Sequence, residues 1–199
     1  QLLKKKWNIE EKKKIILLPG RLTSWKGQEM FIEAISKLKN NFSDNDFVAI
    51  ILGSDQGRKI YKKKLLRLVE QHRLNNNIIF VEHLDLMPIA YEISDVVVSA
   101  SIEPEAFGRV AVESQAMSKP IVASNIGGSK ETVLNRKSGY LYKHDDPREL
   151  AKNLNTVIQL NQEELKLMGN EGRKNVTKKF DVEIMCDSNL REYKKLLKN

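Results

Sequence analysis

Residues 98–122, VSASIEPEAFGRVAVESQAMSKPIV, decide the fold and carry the main chemical motif. They begin at the end of an apolar run, residues 96–98, which predicts a buried strand. A polar loop containing Pro104 follows, a helix is expected after Phe107-Gly108, and Pro120 ends that helix before a second apolar run. A strand, a loop, a helix and another strand in this order are typical of a parallel α/β sheet.

Two carboxylates, Glu105 and Glu113, lie eight positions apart on either side of the expected helix start. Because helical side chains lean toward the helix N-terminus, Glu113 should point back toward the loop that carries Glu105. The backbone amides of Phe107, Gly108 and Arg109 lie between them, where the positive end of the helix dipole favours an anion. We predict a site that binds an anion at its centre and accepts hydroxyl hydrogens beside it, as a phosphorylated sugar requires.

Short apolar runs separated by amphipathic segments continue in both directions from this stretch. The predicted strands are residues 14–19, 47–52, 78–81, 96–99, 121–123 and 139–142. The helix predicted over residues 59–72 should turn Ile60, Leu65, Leu68 and Val69 inward, and Thr23 or Ser24 should cap the helix after the first strand. This pattern predicts the α/β class: a Rossmann-like parallel sheet with helices on both faces, which binds ligands at the carboxyl ends of its strands.

Composition limits the function classes. With 199 residues, 41% of them hydrophobic, the chain can bury a core, and no apolar run approaches the roughly 20 residues that span a bilayer. A single cysteine, Cys186, excludes an internal disulfide framework and fits a cytoplasmic protein. The net charge of +8 is diffuse, so a solvated lysine-rich surface is the first interpretation and peripheral contact with the inner membrane face the second. Nucleic acid is disfavoured because no aromatic residues interleave with the basic ones.

A second chemical motif is PGRLTSWKG, residues 19–27. Arg21 follows the first strand and Lys26 precedes the next helix, so both cations should lie at the ligand edge of the sheet. A guanidinium and an ammonium there can neutralise a diphosphate together. The alternative interpretation is a surface Arg and Lys that flank a loop and bind nothing. The agreement of this cationic loop with the predicted anion site favours one shared ligand.

Four segments in this order resemble a known family: G-R-L-x-x-x-K-G from Gly20, E-A-F-G-R-V-A-V-E from Glu105, A-M-S-K-P-I-V-A-S from Ala116 and G-G-S-K-E from Gly127. They are similar to the nucleotide-sugar-binding half of GT-B glycosyltransferases, in particular the large retaining group numbered family four. The resemblance covers residues 14–160. It implies one half of a two-domain GT-B architecture and a nucleotide-diphosphate sugar, expected to be a UDP-sugar, as donor.

The resemblance also assigns roles to residues. Arg21 and Lys26 would hold the donor diphosphate, Glu105 would contact hydroxyls of the transferred sugar, and Glu113 would contact those of the ribose. The loop after the third strand would meet the base, largely through its backbone. The predicted catalytic residues are Glu105, Arg21 and Lys26. The predicted donor-binding residues are Gly20, Arg21, Lys26, Val81, Glu82, His83, Glu105, Ala106, Phe107, Gly108, Arg109 and Glu113.

No metal and no other cofactor is expected. In the family that the chain resembles, the leaving diphosphate is stabilised by cations and the helix dipole, which removes the need for a metal. Asp44-Asn45-Asp46 has the D-x-D letters of metal-using transferases, but it precedes the second strand at the opposite edge of the sheet, and we interpret it as a turn.

Domain organisation follows from the same resemblance. Residues 1–13 are expected to be a linker from a missing N-terminal domain, 14–180 the donor-binding domain, and 181–199 a helix that crosses to the missing domain. The expected function is retaining transfer of a hexose to a cell-surface glycan or lipopolysaccharide, with the acceptor bound by the N-terminal domain and with no transfer by this domain alone. The alternative is a nucleotide- or phosphosugar-binding domain without catalysis.

Overall fold

Six parallel strands form one sheet in the computed structural model, which describes residues 2–43 and 46–197. The strands are β1 (Lys14–Pro19), β2 (Phe47–Leu52), β3 (Ile78–Val81), β4 (Val96–Ser99), β5 (Ile121–Ser124) and β6 (Gly139–Tyr142). Their order across the sheet is β3-β2-β1-β4-β5-β6. Strands are therefore added on one side of β1 up to β3 and on its other side from β4 onward, which makes the space between β1 and β4 the topological switch point. The crevice for a ligand is expected there, where the loops after these two strands diverge.

Helices cover both faces of the sheet. Those described are α1 (Leu2–Lys6), α2 (Gln28–Lys39), α3 (Lys59–Gln71), α4 (Met87–Ile93), α5 (Arg109–Ala116), α6 (Ser129–Thr132), α7 (Pro147–Ile158), α8 (Gln162–Lys179) and α9 (Val182–Leu196), with a short 3-10 helix at Ser24–Lys26. Side chains of α2, α3 and α7 share one hydrophobic cluster, and those of α4 and α5 share the other. The predicted Rossmann-like architecture is confirmed.

The alternation of side chains along β1 shows why the apolar runs are unbroken. Ile16 and Leu18 pack into the cluster that contains Phe31 of α2, whereas Ile15 and Leu17 pack into the cluster that contains Tyr91 of α4. Because successive side chains of a strand point to opposite faces, a strand covered on both sides needs apolar residues at every position.

One helical face was predicted incorrectly. Leu65 and Val69 of α3 are buried as expected and Leu68 is half-buried, but Ile60 is 88% exposed. Ile60 precedes Leu65 by five residues, which is roughly 140° around an α-helix, so it cannot share the buried face. The outer surface of α3 therefore carries a large apolar side chain in solvent.

The predicted cap of α2 was also wrong. Thr23 makes no capping bond with its side chain, and Ser24 begins the 3-10 helix. Gly27 occupies the N-cap of α2 with a left-handed backbone, φ 72°, because the chain turns there between the two helices.

Residues 2–13 are packed on the domain rather than extended away from it. The short helix α1 lies against α4, Ile9 is buried, and Trp7 is half-buried against the same cluster. These apolar side chains pack the segment onto the domain, which its mostly polar sequence did not predict. Its expected role as a linker from another domain stays a prediction.

The predicted turn before β2, Asp44-Asn45-Asp46, lies only in part within the described residues, which do not include Asp44 and Asn45. Asp46 is described, and its carboxylate accepts the Ser43 amide at 2.6 Å. The Asp46 amide also donates to the Ser43 carbonyl at 3.1 Å, so the two residues are hydrogen-bonded in both directions.

The C-terminal helices differ in their packing. The helix α8 packs against α5, while no residue of α9 is buried and several of its apolar side chains, including Met185, Leu190 and Tyr193, lie in solvent. Among the described helices, none combines the length and the apolar character that a bilayer span needs.

Candidate active site

The loop after β1 and the loop after β4 are fitted together at the crevice between the two strands. A side chain at Gly27 would have its Cβ 1.9 Å from the carbonyl oxygen of Ala100, so the two backbones approach as closely as only glycine allows. The amide of Ile102 donates to the carbonyl of Trp25 at 2.9 Å. The predicted cationic loop and the predicted anion loop are therefore one unit.

Lys26 and Glu105 form the polar centre of this unit. Lys26 Nζ lies 2.8 Å from Glu105 Oε2, and their side chains are only 14% and 20% exposed. Ser101 donates its hydroxyl to the other carboxylate oxygen of Glu105, and the Lys26 ammonium lies 4.4 Å from the centre of the Trp25 ring. Both charged groups are thus held in fixed positions at the ligand edge of the sheet.

Arg21 also lies at this edge, immediately after β1 and Gly20. Its carbonyl accepts the side-chain amide of Gln28 at 2.8 Å, which anchors the backbone, and the Gly20 amide donates to Leu52 of β2. The Arg21 side chain is exposed, and within the described ranges it forms no ion pair. The guanidinium is therefore available to an anion from solvent.

The start of α5 provides backbone donors. Gly108 is the N-cap residue, with φ 73°, and across residues 2–43 and 46–197 the amides of Phe107, Gly108 and Arg109 donate no hydrogen bond. Ala106 and Phe107 are exposed at this helix tip. Free amides at the positive end of a helix dipole form an anion site when an anionic ligand is present.

The Gly127-Gly128 pair supports that tip from behind. The Gly128 amide donates to the Glu105 carbonyl at 2.8 Å, and a Cβ at Gly128 would lie 2.4 Å from the Phe107 carbonyl oxygen. Phe107 also packs edge-to-face against Phe180 at the end of α8, with ring centroids 5.8 Å apart. Sequence reasoning missed these supports, although the paired glycines were the available signal.

Glu113 is held by a residue that the sequence did not identify. Tyr91 of α4 donates its hydroxyl to Glu113 Oε2 at 2.8 Å, and Tyr91 is 2% exposed. Burial, followed by the Glu113 charge, raises the pKa of Tyr91 above its usual range, so the phenol stays a donor. The positive charge of Arg109 opposes this shift in pKa.

The predicted base-contacting residues lie at the ligand edge but outside the Lys26–Glu105 unit. The Val81 carbonyl accepts the Gly53 amide, Glu82 pairs with Lys62 at 3.2 Å, and His83 lies 3.1 Å from Asp85. They begin the segment that leads to α4, whose Tyr91 contacts Glu113. Their connection to the site is therefore indirect: they precede α4, and Tyr91 of α4 contacts Glu113.

The assembled site can bind a polyhydroxylated anion. Lys26 and the free amides at the start of α5 favour negative charge, and Glu105 beside them can accept hydroxyl hydrogens. Arg21 lies at the same edge of the sheet and Glu113 lies one turn into α5, and the expectation that they contact the same ligand stays a prediction.

Comparison with known proteins gives a consistent result. A family model described as "Glycosyl transferases group 1" matches residues 1–175. Among curated proteins, Spore coat protein SA of Bacillus subtilis (strain 168) is 29% identical over 189 residues, which is 92% of this chain and 49% of that protein. The chain therefore spans about half the length of this relative.

Solved structures agree over the whole fold. A glycosyltransferase from Rickettsia africae ESF-5 has a TM-score of 0.91 at 34% identity, over 100% of this chain and 52% of that chain. HepE of Anabaena, solved in complex with UDP-glucose, has a TM-score of 0.87 at 26% identity, over 98% of this chain and 52% of that chain. The six-stranded parallel sheet with its surrounding helices matches the C-terminal domains of GT-B glycosyltransferases.

Proposed function

The chain belongs to the glycosyl transferases group 1 family, and from this premise we propose that it is the donor-binding half of a retaining glycosyltransferase. The observation that carries this proposal is the Lys26–Glu105 pair, 2.8 Å apart, beside the free amides at the start of α5. The pair sets a phosphate-binding cation next to a hydroxyl-binding carboxylate. A nucleotide-diphosphate sugar offers both groups to one site.

Each charged residue has a distinct role in the proposed complex. Lys26 and Arg21 bind the diphosphate from the β1 side, and the amides of the α5 helix tip bind it from the β4 side. Glu105 accepts hydrogen bonds from hydroxyls of the transferred sugar, and Glu113 accepts them from the ribose. The HepE complex with UDP-glucose supports a UDP-hexose as donor for this chain.

The proposed reaction transfers the hexose with retention of configuration. The diphosphate gains negative charge as its bond to the sugar breaks, so Lys26, Arg21 and the helix dipole stabilise the transition state more than the ground state. The departing phosphate takes the proton of the acceptor hydroxyl. The proposed acceptor is a cell-surface glycan or lipopolysaccharide bound by an N-terminal domain, and the exposed apolar face of α9 suits a helix that docks on that domain.

A titration tests the proposal directly. We expect the 199-residue chain to bind UDP and UDP-glucose, and to bind UDP more tightly than GDP or ADP, as measured by calorimetry. We also expect Arg21→Ala to weaken UDP binding by about tenfold, the value of one charge-assisted hydrogen bond. If no nucleoside diphosphate binds, the proposed function is wrong.

A non-catalytic nucleotide- or phosphosugar-binding domain is the second candidate function. It is supported by the same geometry, because the residues described above are proposed to bind the donor and none of them is assigned to an acceptor. Transfer of labelled sugar from UDP-glucose by the full-length protein would favour the enzyme. Transfer by the 199-residue chain alone would contradict the proposed need for an N-terminal domain.

We further propose that the outer face of α3 provides the contact with an anionic membrane. Lys59, Lys63 and Arg67 are exposed there and form no ion pair within the part of the chain that the structure describes. Ile60 lies among them at 88% exposure. Cations around an exposed apolar side chain suit an interface with acidic headgroups, at about 1 kcal/mol per cation.

Vesicle sedimentation checks this contact. We expect the chain to sediment with vesicles that contain phosphatidylglycerol and not with pure phosphatidylcholine. The triple variant Lys59→Glu, Lys63→Glu, Arg67→Glu should reduce binding by more than about tenfold, since three attractive charges become repulsive. The matched control reverses three exposed cations elsewhere, Lys178→Glu, Lys179→Glu and Lys194→Glu. Equal losses in both triple variants would mean that net charge, and not this face, determines binding.

A further inference from the structure

Tyr91 makes a specific contact that the proposed reaction does not yet use. Its hydroxyl donates to Glu113 Oε2 at 2.8 Å, between α4 and α5. In the part of the chain that the structure describes, the other oxygen of this carboxylate, Oε1, accepts no hydrogen bond. One oxygen of Glu113 is thus occupied by the protein, and the second is left for a donor from outside.

The phenol is a rigid donor. Tyr91 is buried in the hydrophobic cluster that covers one face of the sheet, together with Val97 of β4 and Ala111 of α5. A ring packed in this way has one orientation, and its hydroxyl therefore has a fixed position relative to α5. By contrast, the terminal torsion of a glutamate side chain is broad, so an unbonded carboxylate at position 113 would sample many orientations.

Glu113 lies one turn into α5, and its side chain leans toward the helix tip where the proposed diphosphate binds. We propose that Tyr91 is a positioning residue: it fixes Glu113 so that Oε1 faces the ribose hydroxyls of the donor, which makes the site selective for ribonucleotides. This inference rests on the proposed function. It adds a determinant of specificity that lies behind the site and touches no donor atom.

The test compares two nucleotides that differ only in the hydroxyls that Glu113 would bind. UDP and 2′,3′-dideoxy-UDP are titrated into the chain, and the ratio of their affinities is measured. We expect the unchanged chain to prefer UDP by about tenfold, as a hydrogen bond to a charged acceptor implies. Tyr91→Phe should lower this ratio by about threefold or more and leave the affinity for the dideoxy nucleotide unchanged.

The chain offers a matched control. Tyr142 also has a buried hydroxyl, and in the described residues it has no hydrogen-bond partner. It belongs to the cluster on the opposite face of the sheet. Tyr142→Phe therefore removes a buried hydroxyl without touching Glu113 and should leave the ratio unchanged.

The outcomes separate the inference from the proposed function. If the unchanged chain binds neither nucleotide, the proposed function fails. If it prefers UDP but Tyr91→Phe weakens both nucleotides equally, or keeps the ratio, the positioning role is wrong. Glu113→Gln keeps the volume of the side chain but replaces the carboxylate by a neutral amide with one acceptor oxygen, so it should lower the preference. A full preference in Glu113→Gln would overturn the inference even if Tyr91→Phe failed to fold.

Discussion

Lys26→Ala is expected to weaken UDP binding by about 10- to 100-fold and to leave uridine binding unchanged. The estimate corresponds to the roughly 1.5–3 kcal/mol of a hydrogen bond that involves a charged group. Lys26 is poised for this contact because its ammonium is fixed by Glu105 at 2.8 Å and its side chain is largely buried. In the variant, the Glu105 carboxylate would remain near the diphosphate without its cation, and repulsion would add to the loss.

Uridine lacks the diphosphate and therefore serves as the control within this experiment. A control variant is Lys64→Ala, which removes another ion-paired lysine, bonded to Glu29 at 2.6 Å, outside the proposed site. It should change neither affinity. If Lys26→Ala weakened uridine as much as UDP, the lysine would support the fold of the loop and would not bind phosphate. Calorimetry gives both affinities, and a thermal melt shows whether the variant is folded.

The strands could be predicted closely because their signal is local. The central strands are covered on both faces and therefore appear in the sequence as apolar runs, and five of the six predicted strands have the observed ends. The fifth is one residue longer than predicted and ends at Ser124. The position of the site followed from the same signal, because the carboxyl ends of parallel strands share one edge.

The misplaced Ile60 was a local error, since helix geometry alone excludes it from the face of Leu65. The other errors concern contacts between residues far apart in the chain. The N-cap of α2 is Gly27, where a Cβ would meet the carbonyl oxygen of Ala100, a residue far away in the sequence. Tyr91 was not identified from the sequence, because its contact with Glu113 depends on α4 lying beside α5. No local pattern distinguishes a tyrosine whose hydroxyl meets a carboxylate from one whose hydroxyl meets none, such as Tyr142.

The site is thus built from loops that fit closely. Its charged residues lie on segments whose backbones approach one another at glycines, at Gly27 against Ala100 and at Gly128 against Phe107. Since Lys26 adjoins Gly27 and Glu105 lies in the loop that Gly128 supports, the distance between the two charges depends on these approaches. Adding a side chain at Gly27 should therefore damage both stability and binding.

Gly27→Ala is expected to lower the free energy of unfolding by about 2–5 kcal/mol. The left-handed backbone, φ 72°, costs roughly 1–2 kcal/mol with a Cβ present. The new Cβ would also lie 1.9 Å from a backbone carbonyl oxygen, which no rotation of a side chain can relieve, and overpacking adds about 1–3 kcal/mol. This sum is a large part of the roughly 5–15 kcal/mol that stabilises a typical domain.

Gly57→Ala separates the two contributions. Gly57 also has a left-handed backbone, φ 83°, but a Cβ there would meet nothing within 4 Å. It should cost about 1–2 kcal/mol, the backbone term alone, and leave UDP affinity unchanged. Urea denaturation measures both free energies of unfolding. Equal costs for the two variants would show that the β1 loop can move away from Ala100, and the close fit of the two loops would then not be what holds Lys26 beside Glu105.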